Sequence, residues 1–277
     1  MSEPVRVLYV SSEIYPYSQE SPISIVGRFL PQGVQEKGRE IRSFMPRYGT
    51  VNERRHQLHE VIRLSGMNII VRDVDRPLII KVASISSARM QVYFIDNEDF
   101  FRRKAVFCDA DGKFFEDNDE RAIFFARGVL ETVKKLRWKP DIVHCQGWIS
   151  HILPLYLKKA YDTDPIFADS KIVLSLYDEP NYTFATDIAA KIPIGGISPE
   201  DVEVVKASDG INLARLAIRY ADGVIYGSKT LDEELKKYVA ERKLPVLQSP
   251  EISLEDTGYI QEYNDFYEQI LQANVTE

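Results

Sequence analysis

The sequence predicts an α/β protein built on a doubly wound parallel sheet with an antiparallel strand insertion, and three observations carry that expectation. Short runs of β-branched and aromatic residues alternate with longer stretches of helical period along most of the chain, the pattern of βα units laid into one sheet. The first run, Val7, Leu8, Tyr9 and Val10, is apolar without alternation, as a strand buried on both faces requires. With 277 residues, 44% of them hydrophobic, the chain can cover both faces of such a sheet.

Taken in order, the strand at 7–10 leads into a polar loop with two prolines. Residues 25–35 then read as a helix, with Ile25, Val26, Phe29, Leu30 and Val34 at helical spacing and a kink expected at Pro31. Gly38 ends it, and 40–45 forms the next strand. From 59 to 96 the text changes to strand-like runs at 61–64, 68–71, 78–83 and 90–95, read as antiparallel strands added to one side. An aromatic and charged loop at 100–115 turns at 109–112. The clearest helix is 118–136, with Ala122, Phe125, Ala126, Val129, Val133 and Leu136 on one face and Asp117 or Asn118 as its cap. A strand at 141–145, a helix at 148–160 bent or broken by Pro154, and a strand at 171–176 follow. A polar loop covers 177–196, then a helix at 211–220, a strand at 223–226 and a charged helix at 229–241. Two units are expected: 1–253 as the α/β domain and 254–277 as an acidic, aromatic helical tail. Its residues Ile260, Tyr263, Phe266 or Tyr267, Ile270 and Leu271 recur at helical spacing, so it either packs on its own domain or meets a partner.

The net charge of −7 argues against nucleic-acid binding, which needs a basic surface. Cys108 and Cys145 have neither metal spacing nor a disulfide framework, and a reducing cytoplasm is the expected compartment. The sequence shows no export signal and no run long enough for a membrane span. No Walker loop, complete dinucleotide fingerprint, paired-His metal helix or nucleophile elbow is present, so neither a metal nor a cofactor is assigned.

Val-Ser-Ser-Glu-Ile-Tyr-Pro-Tyr at 10–17, Val-Gly-Arg-Phe-Leu-Pro at 26–31, Lys37 to Arg42 and Met45 to Gly49 resemble the opening of the bacterial and plant glycogen and starch synthases. The similarity extends to about Leu235. It implies the Rossmann-like first half of a GT-B retaining glycosyltransferase that uses ADP-glucose, with Glu13 and Tyr15 in the loop facing the cleft. The family's loop reads Lys-x-Gly-Gly-Leu-x-Asp, and Gln19, Ser21, Pro22, Ile23 and Ile25 occupy those places here. Gln19 carries no charge, Ser21 resists a positive φ, Pro22 lacks an N–H donor and Ile25 has no carboxylate. An ordinary βα connection with Pro22 in the first helical turn is the competing reading of this stretch.

Similarly, Asp141 to Trp148 resembles the family's His-x-His-Asp-Trp segment, with His144 and Trp148 matching and Gln146 and Gly147 replacing the second His and the Asp. A Gln cannot change its charge, so it cannot act as an acid or base. A lone His after a strand is alternatively a satisfied structural residue. Ser175 to Asp178 stands where the family has a Val-His-Asn segment, altered at Tyr177 and Asp178. Tyr177, Tyr182 and Phe184 could form a platform for a sugar ring, with core packing as the other use. Asp117, Asn118 and Arg121 match the family's Asp-Asn-x-x-Arg-Phe pattern, with Phe124 in place. The resemblance puts them on the acceptor side, although Asp also favours a helix start by itself.

The synthases are about twice as long as this chain and hold most of the nucleotide sugar on a second domain. The resulting expectation is a synthase-like module with no catalytic residue of its own, binding a glucan or an ADP-glucose-related small molecule and associating with a protein partner. The alternative is one subunit of a split ADP-glucose-dependent synthase whose donor domain comes from a separate polypeptide.

Overall fold

Strands whose side chains are apolar on both faces must be covered on both sides, and that requirement sets the architecture. The computed structural model describes residues 3–250, 252 and 258–273. Its strands are β1 (Arg6–Ser11), β2 (Glu40–Pro46), β3 (His59–Glu60), β4 (Met67–Val71), β5 (Val74–Ile85), β6 (Met90–Asp96), β7 (Ile142–Gln146), β8 (Lys171–Leu176), β9 (Gly223–Tyr226) and β10 (Val246–Gln248). They form a 10-stranded sheet in the order β10-β9-β8-β7-β1-β2-β6-β5-β3, with β4 paired to β5. From β10 through β6 all pairs are parallel, and β5 pairs antiparallel with β6, β3 and β4.

The helices are α1 (Pro22–Glu36), α2 (Glu98–Phe101), α3 (Asn118–Leu136), α4 (Leu153–Leu155), α5 (Ile188–Lys191), α6 (Gly210–Tyr220), α7 (Glu233–Glu241) and α8 (Tyr259–Gln272). On one face of the sheet, α1 and α8 bury Val26, Leu30, Tyr263, Tyr267 and Ile270 against Val7, Tyr9, Ile142 and Val173. On the other, α3, α6 and the segment 148–160 cover Leu8, Val10, Val143 and Leu174. The described part of the acidic tail, α8, thus supplies a layer of the fold, while 254–257 and 274–277 lie outside the described residues: Arg39 bonds Asn264 at 2.7 Å and Glu268 at 2.5 Å across the α1–α8 side.

Several expectations need correction. Residues 61–64 are a turn, and the strand there is the preceding β3. β6, read as antiparallel insertion, pairs parallel with β2 and extends the main sheet; its apolar run, buried on both faces, is the mark of that placement. Helix α1 starts earlier, at Pro22, and runs through Pro31 without interruption. Segment 148–160 is no single α-helix but a 3₁₀ turn at Trp148–Ser150, the short α4, and a π-helical stretch at Tyr156–Ala160. The loops at 100–115 and 177–196 contain the end of α2 and all of α5. α7 begins at Glu233, where Asp232 caps it, and β10 adds a strand that the sequence does not announce, because three edge residues show no periodic pattern.

Candidate functional site

Strand order reverses between β1 and β7, so the loops leaving their carboxyl ends diverge and open a crevice there. After β1, the Ser12 N–H still donates to the Gln146 carbonyl at 2.9 Å, and Tyr17 N–H and Ser18 N–H then turn back onto the Ile14 carbonyl. Ser21 caps α1 with an extended backbone, φ −151°. Its hydroxyl accepts from Ser24 N–H at 3.1 Å, and Ser24 Oγ accepts from Ser21 N–H at 2.9 Å. This reciprocal cap takes up the Ser24 N–H, and Pro22 in the first turn has none to offer, so fewer donors are left to meet an anion. The loop 12–24 contains no lysine or arginine. Glu13 accepts from Ser21 Oγ at 3.2 Å, and burial raises its carboxyl above the ordinary range.

At the end of β7, Gly147 has φ +81°, and a Cβ there would lie 2.1 Å from Ser12 Oγ. Only glycine fits between the two strand ends. The following Trp148 N–H donates to Glu179 Oε1 at 3.3 Å. Glu179 belongs to the loop after β8, and burial pushes its carboxyl up to about 8, with the Glu13 charge adding to the effect. It is therefore largely protonated at neutral pH.

Between the ends of β8 and the starts of α6 and α7 lies a crevice of about 320 Å³, lined among others by Trp148, His151, Tyr177, Asp178, Glu179 and Asp232. Both ring nitrogens of buried His151 and the indole Nε1 of Trp148 lack hydrogen-bond partners, as do Ser12 Oγ and Gln146 Nε2 nearby on the strand ends. Burial lowers His151 to about 3, so the ring is neutral. A neutral imidazole and a carboxylic acid each offer one donor and one acceptor, the hydrogen-bonding complement of hydroxyl groups.

An aromatic loop, 102–116, borders this crevice. Phe107 and Phe114 pack edge-on against Trp148 at 4.8 and 5.3 Å, and Phe114 stacks on Tyr182 at 4.0 Å. Asn118 and Arg121 hold the loop from beneath: Asn118 Nδ2 donates to the Phe107 carbonyl and Arg121 Nη1 to the Val106 carbonyl, each at 2.8 Å. Arg121 is fully buried under Phe101 and Phe115, and desolvation lowers it to about 10. Asp117 begins α3 without a side-chain capping bond and pairs with Arg103 instead.

The fold thus gathers Trp148, Tyr177 and Asp178 around one crevice, with Gly147 at its edge and Glu13 near enough to act on Glu179. Asn118 and Arg121 lie under the aromatic loop. His144 points away, toward Tyr267 on α8 and Ser175 on β8. Gln146 is buried, with Oε1 3.5 Å from the Tyr177 hydroxyl. Tyr15, Gln19 and Pro22 are exposed, Ile25 is buried in α1, and Tyr177 and Phe184 are buried in packing. His151 and Glu179 went unnoticed in the sequence. Glu179 follows the altered Asp178 directly, and that adjacency was its only signal.

The starch synthase catalytic domain family matches residues 6–248. Glycogen synthase of Chlorobium limicola is 36% identical over 233 residues, which cover 83% of this chain and 47% of that protein. Glycogen synthase of Chlorobium phaeobacteroides is 40% identical over 174 residues, 62% of this chain and 36% of that one. Among solved structures, the catalytic domain of starch synthase IV from Arabidopsis thaliana, bound to ADP and acarbose, superposes with a TM-score of 0.67 at 16% identity over 88% of this chain and 51% of that chain. The chain spans about half the length of the relatives it matches. By its sequence and its Rossmann-like GT-B fold, this chain belongs to the starch synthase catalytic domain family.

Proposed function

We propose that this chain is a glycogen-synthase-like module that binds an α-glucan at the ends of β1, β7 and β8 and performs no glucosyl transfer through its own residues. The observation that carries this reading is the reciprocal Ser21–Ser24 cap on α1. A retaining transferase must stabilise the diphosphate charge that develops as the nucleotide departs. Here Ser21 Oγ takes the Ser24 N–H of the helix terminus and Pro22 offers no donor, the loop has no cation, and the neighbouring crevice is lined with carboxyl groups. Neutral donors and acceptors on His151 and Glu179, beside Trp148, suit a sugar ring instead. The binding of acarbose by the plant synthase supports a sugar ligand, and a regulatory role toward glycogen metabolism follows from binding without transfer.

Thermal unfolding with maltoheptaose, ADP and ADP-glucose tests the binding half of the proposal. Maltoheptaose raises Tm through linkage to the folded state, and the nucleotide ligands leave it unchanged. Incubation with radiolabelled ADP-glucose and glycogen yields no labelled polymer; robust labelling at low protein concentration overturns the reading.

A second reading follows from the relatives' length, since this chain covers only 47% of the Chlorobium limicola protein. In that case the chain is the acceptor half of a transferase, and polymer labelling appears on adding a polypeptide that carries a donor domain.

A further inference from the structure

We propose that the crevice beside β8 selects sugars bearing a positively charged amine over neutral or acidic ones, an inference that rests on the glucan-binding reading and narrows its ligand. The lining includes the carboxyl groups of Asp178, Glu179 and Asp232 and, among the described residues, contains no lysine or arginine. At its inner end His151, 3% exposed, leaves both ring nitrogens without partners. A buried polar group costs free energy until something bonds it, so this ring marks a place where a ligand hydroxyl or amine belongs.

Two helices begin at the crevice, and a helix start ordinarily attracts anions. Both are already occupied. Asp209 accepts from Asn212 N–H at 2.8 Å and Asn181 Oδ1 from Ile211 N–H at 3.0 Å on α6; Asp232 accepts from Glu234 N–H at 2.8 Å on α7. With these donors taken, the remaining field in the concavity is that of the carboxyl groups, and a low-dielectric wall of Leu176, Ile211 and Leu235 strengthens it. Glu179 adds a neutral group beside Asp178 and Asp232, since burial and the Glu13 charge both raise its carboxyl against the Trp148 N–H. An ammonium group would supply a counter-charge to the Asp178 and Asp232 carboxylates, while the sugar hydroxyls meet the neutral Glu179 carboxyl, His151 and the Trp148 indole.

The test uses three sugars of nearly one shape and different charge: glucosamine, glucose and glucuronate. Their dissociation constants are measured by NMR titration at pH 7 and fixed ionic strength. The expected order is glucosamine tightest, glucose weaker by about tenfold, corresponding to one interaction of ~1.4 kcal/mol, and glucuronate weakest. Asp178→Asn and Asp232→Asn each reduce the glucosamine-to-glucose ratio to about threefold or less, with unchanged dispersion of the spectrum showing that the variants fold. An equal or inverted order, or a ratio indifferent to both substitutions, overturns the inference. If glucose and maltoheptaose bind without charge preference, this inference fails and the glucan-binding reading stands; if no sugar binds, both fail.

Discussion

Nδ1 of His144 lies 2.6 Å from the hydroxyl of Tyr267, a residue 123 positions further along the chain on α8. The other ring nitrogen lies 2.7 Å from Ser175 Oγ, and Tyr9 receives the Tyr267 hydroxyl at 3.4 Å. The histidine that resembles a family site residue is thus a satisfied member of a buried layer between sheet and tail helix. Its alternate position on β7, between Val143 and Cys145 on the opposite face, sends it there. Removing the Tyr267 hydroxyl by Tyr267→Phe strands one imidazole nitrogen and is expected to destabilise the chain by about 1–3 kcal/mol. Urea denaturation measures it, and an unchanged midpoint would show that the contact contributes nothing.

Burial holds His144 and His151 each at about 3, below the value near 6.5 of an unfolded chain. Between those limits the unfolded state binds protons that the folded state refuses, so stability falls as pH drops below about 6.5. Each histidine adds a slope of about 1.4 kcal/mol per pH unit within that window. Urea midpoints from pH 7 to pH 4 will show a shallower acid slope for His151→Gln than for the unaltered chain.

Glu179 acts in the opposite direction. Its folded carboxyl titrates near 8, so between about pH 4.5 and 8 the folded state keeps a proton that the unfolded state has lost, and this contribution disappears as pH rises. Glu179→Gln removes the dependence. Its stability relative to the parent should grow steadily from pH 5 to pH 8.5, and parallel profiles would contradict the burial of this carboxyl.

Gly147→Ala places a Cβ 2.1 Å from Ser12 Oγ and 2.7 Å from Ser12 Cβ at a positive φ. Strain and overpacking together cost about 2–4 kcal/mol. The double variant Ser12→Gly, Gly147→Ala relieves the collision but not the backbone strain of about 1 kcal/mol. Calorimetric melting of the two variants separates these contributions, and absence of rescue would place the obstacle elsewhere.

Arg121→Lys keeps a charge but loses the planar reach to the Val106 carbonyl and Asn118. The aromatic loop, which packs on Trp148 through Phe107 and Phe114, should loosen at a cost of about 2–3 kcal/mol. In a Trp138→Phe background, a red shift of the Trp148 emission reports the loosening. An unshifted spectrum would mean that the loop is held by its rings alone.

Much of the fold was legible. The strands at 171–176 and 223–226 and the helix at 118–136 appear with the bounds their patterns predicted, because each places an unbroken apolar stripe or run against a single layer. Where the text failed, local pattern and tertiary pairing disagreed. The same apolar run that marks β6 as a strand is silent on whether its neighbour runs with or against it, since that depends on β2, far earlier in the chain. The site was legible as a set of departures from a known frame, at Ser21, Pro22, Gln146 and Gly147, and not as a geometry. Ser21 reads as a loss of glycine until its bond with Ser24 makes it a cap, and Gly147 reads as a lost aspartate until Ser12 is found filling its place.

Alone, the sequence determined the α/β alternation, the family frame and the absence of a cationic loop after the first strand, because those follow from residue type and spacing within one segment. Only the tertiary structure decided that His144 faces the tail helix, that Asn118 and Arg121 brace an aromatic loop, and that His151 and Glu179 share a crevice with Asp178 and Asp232. Those relations join segments tens to hundreds of residues apart. Burial and charge depend on what the folded chain brings within a few ångströms, which no local pattern records.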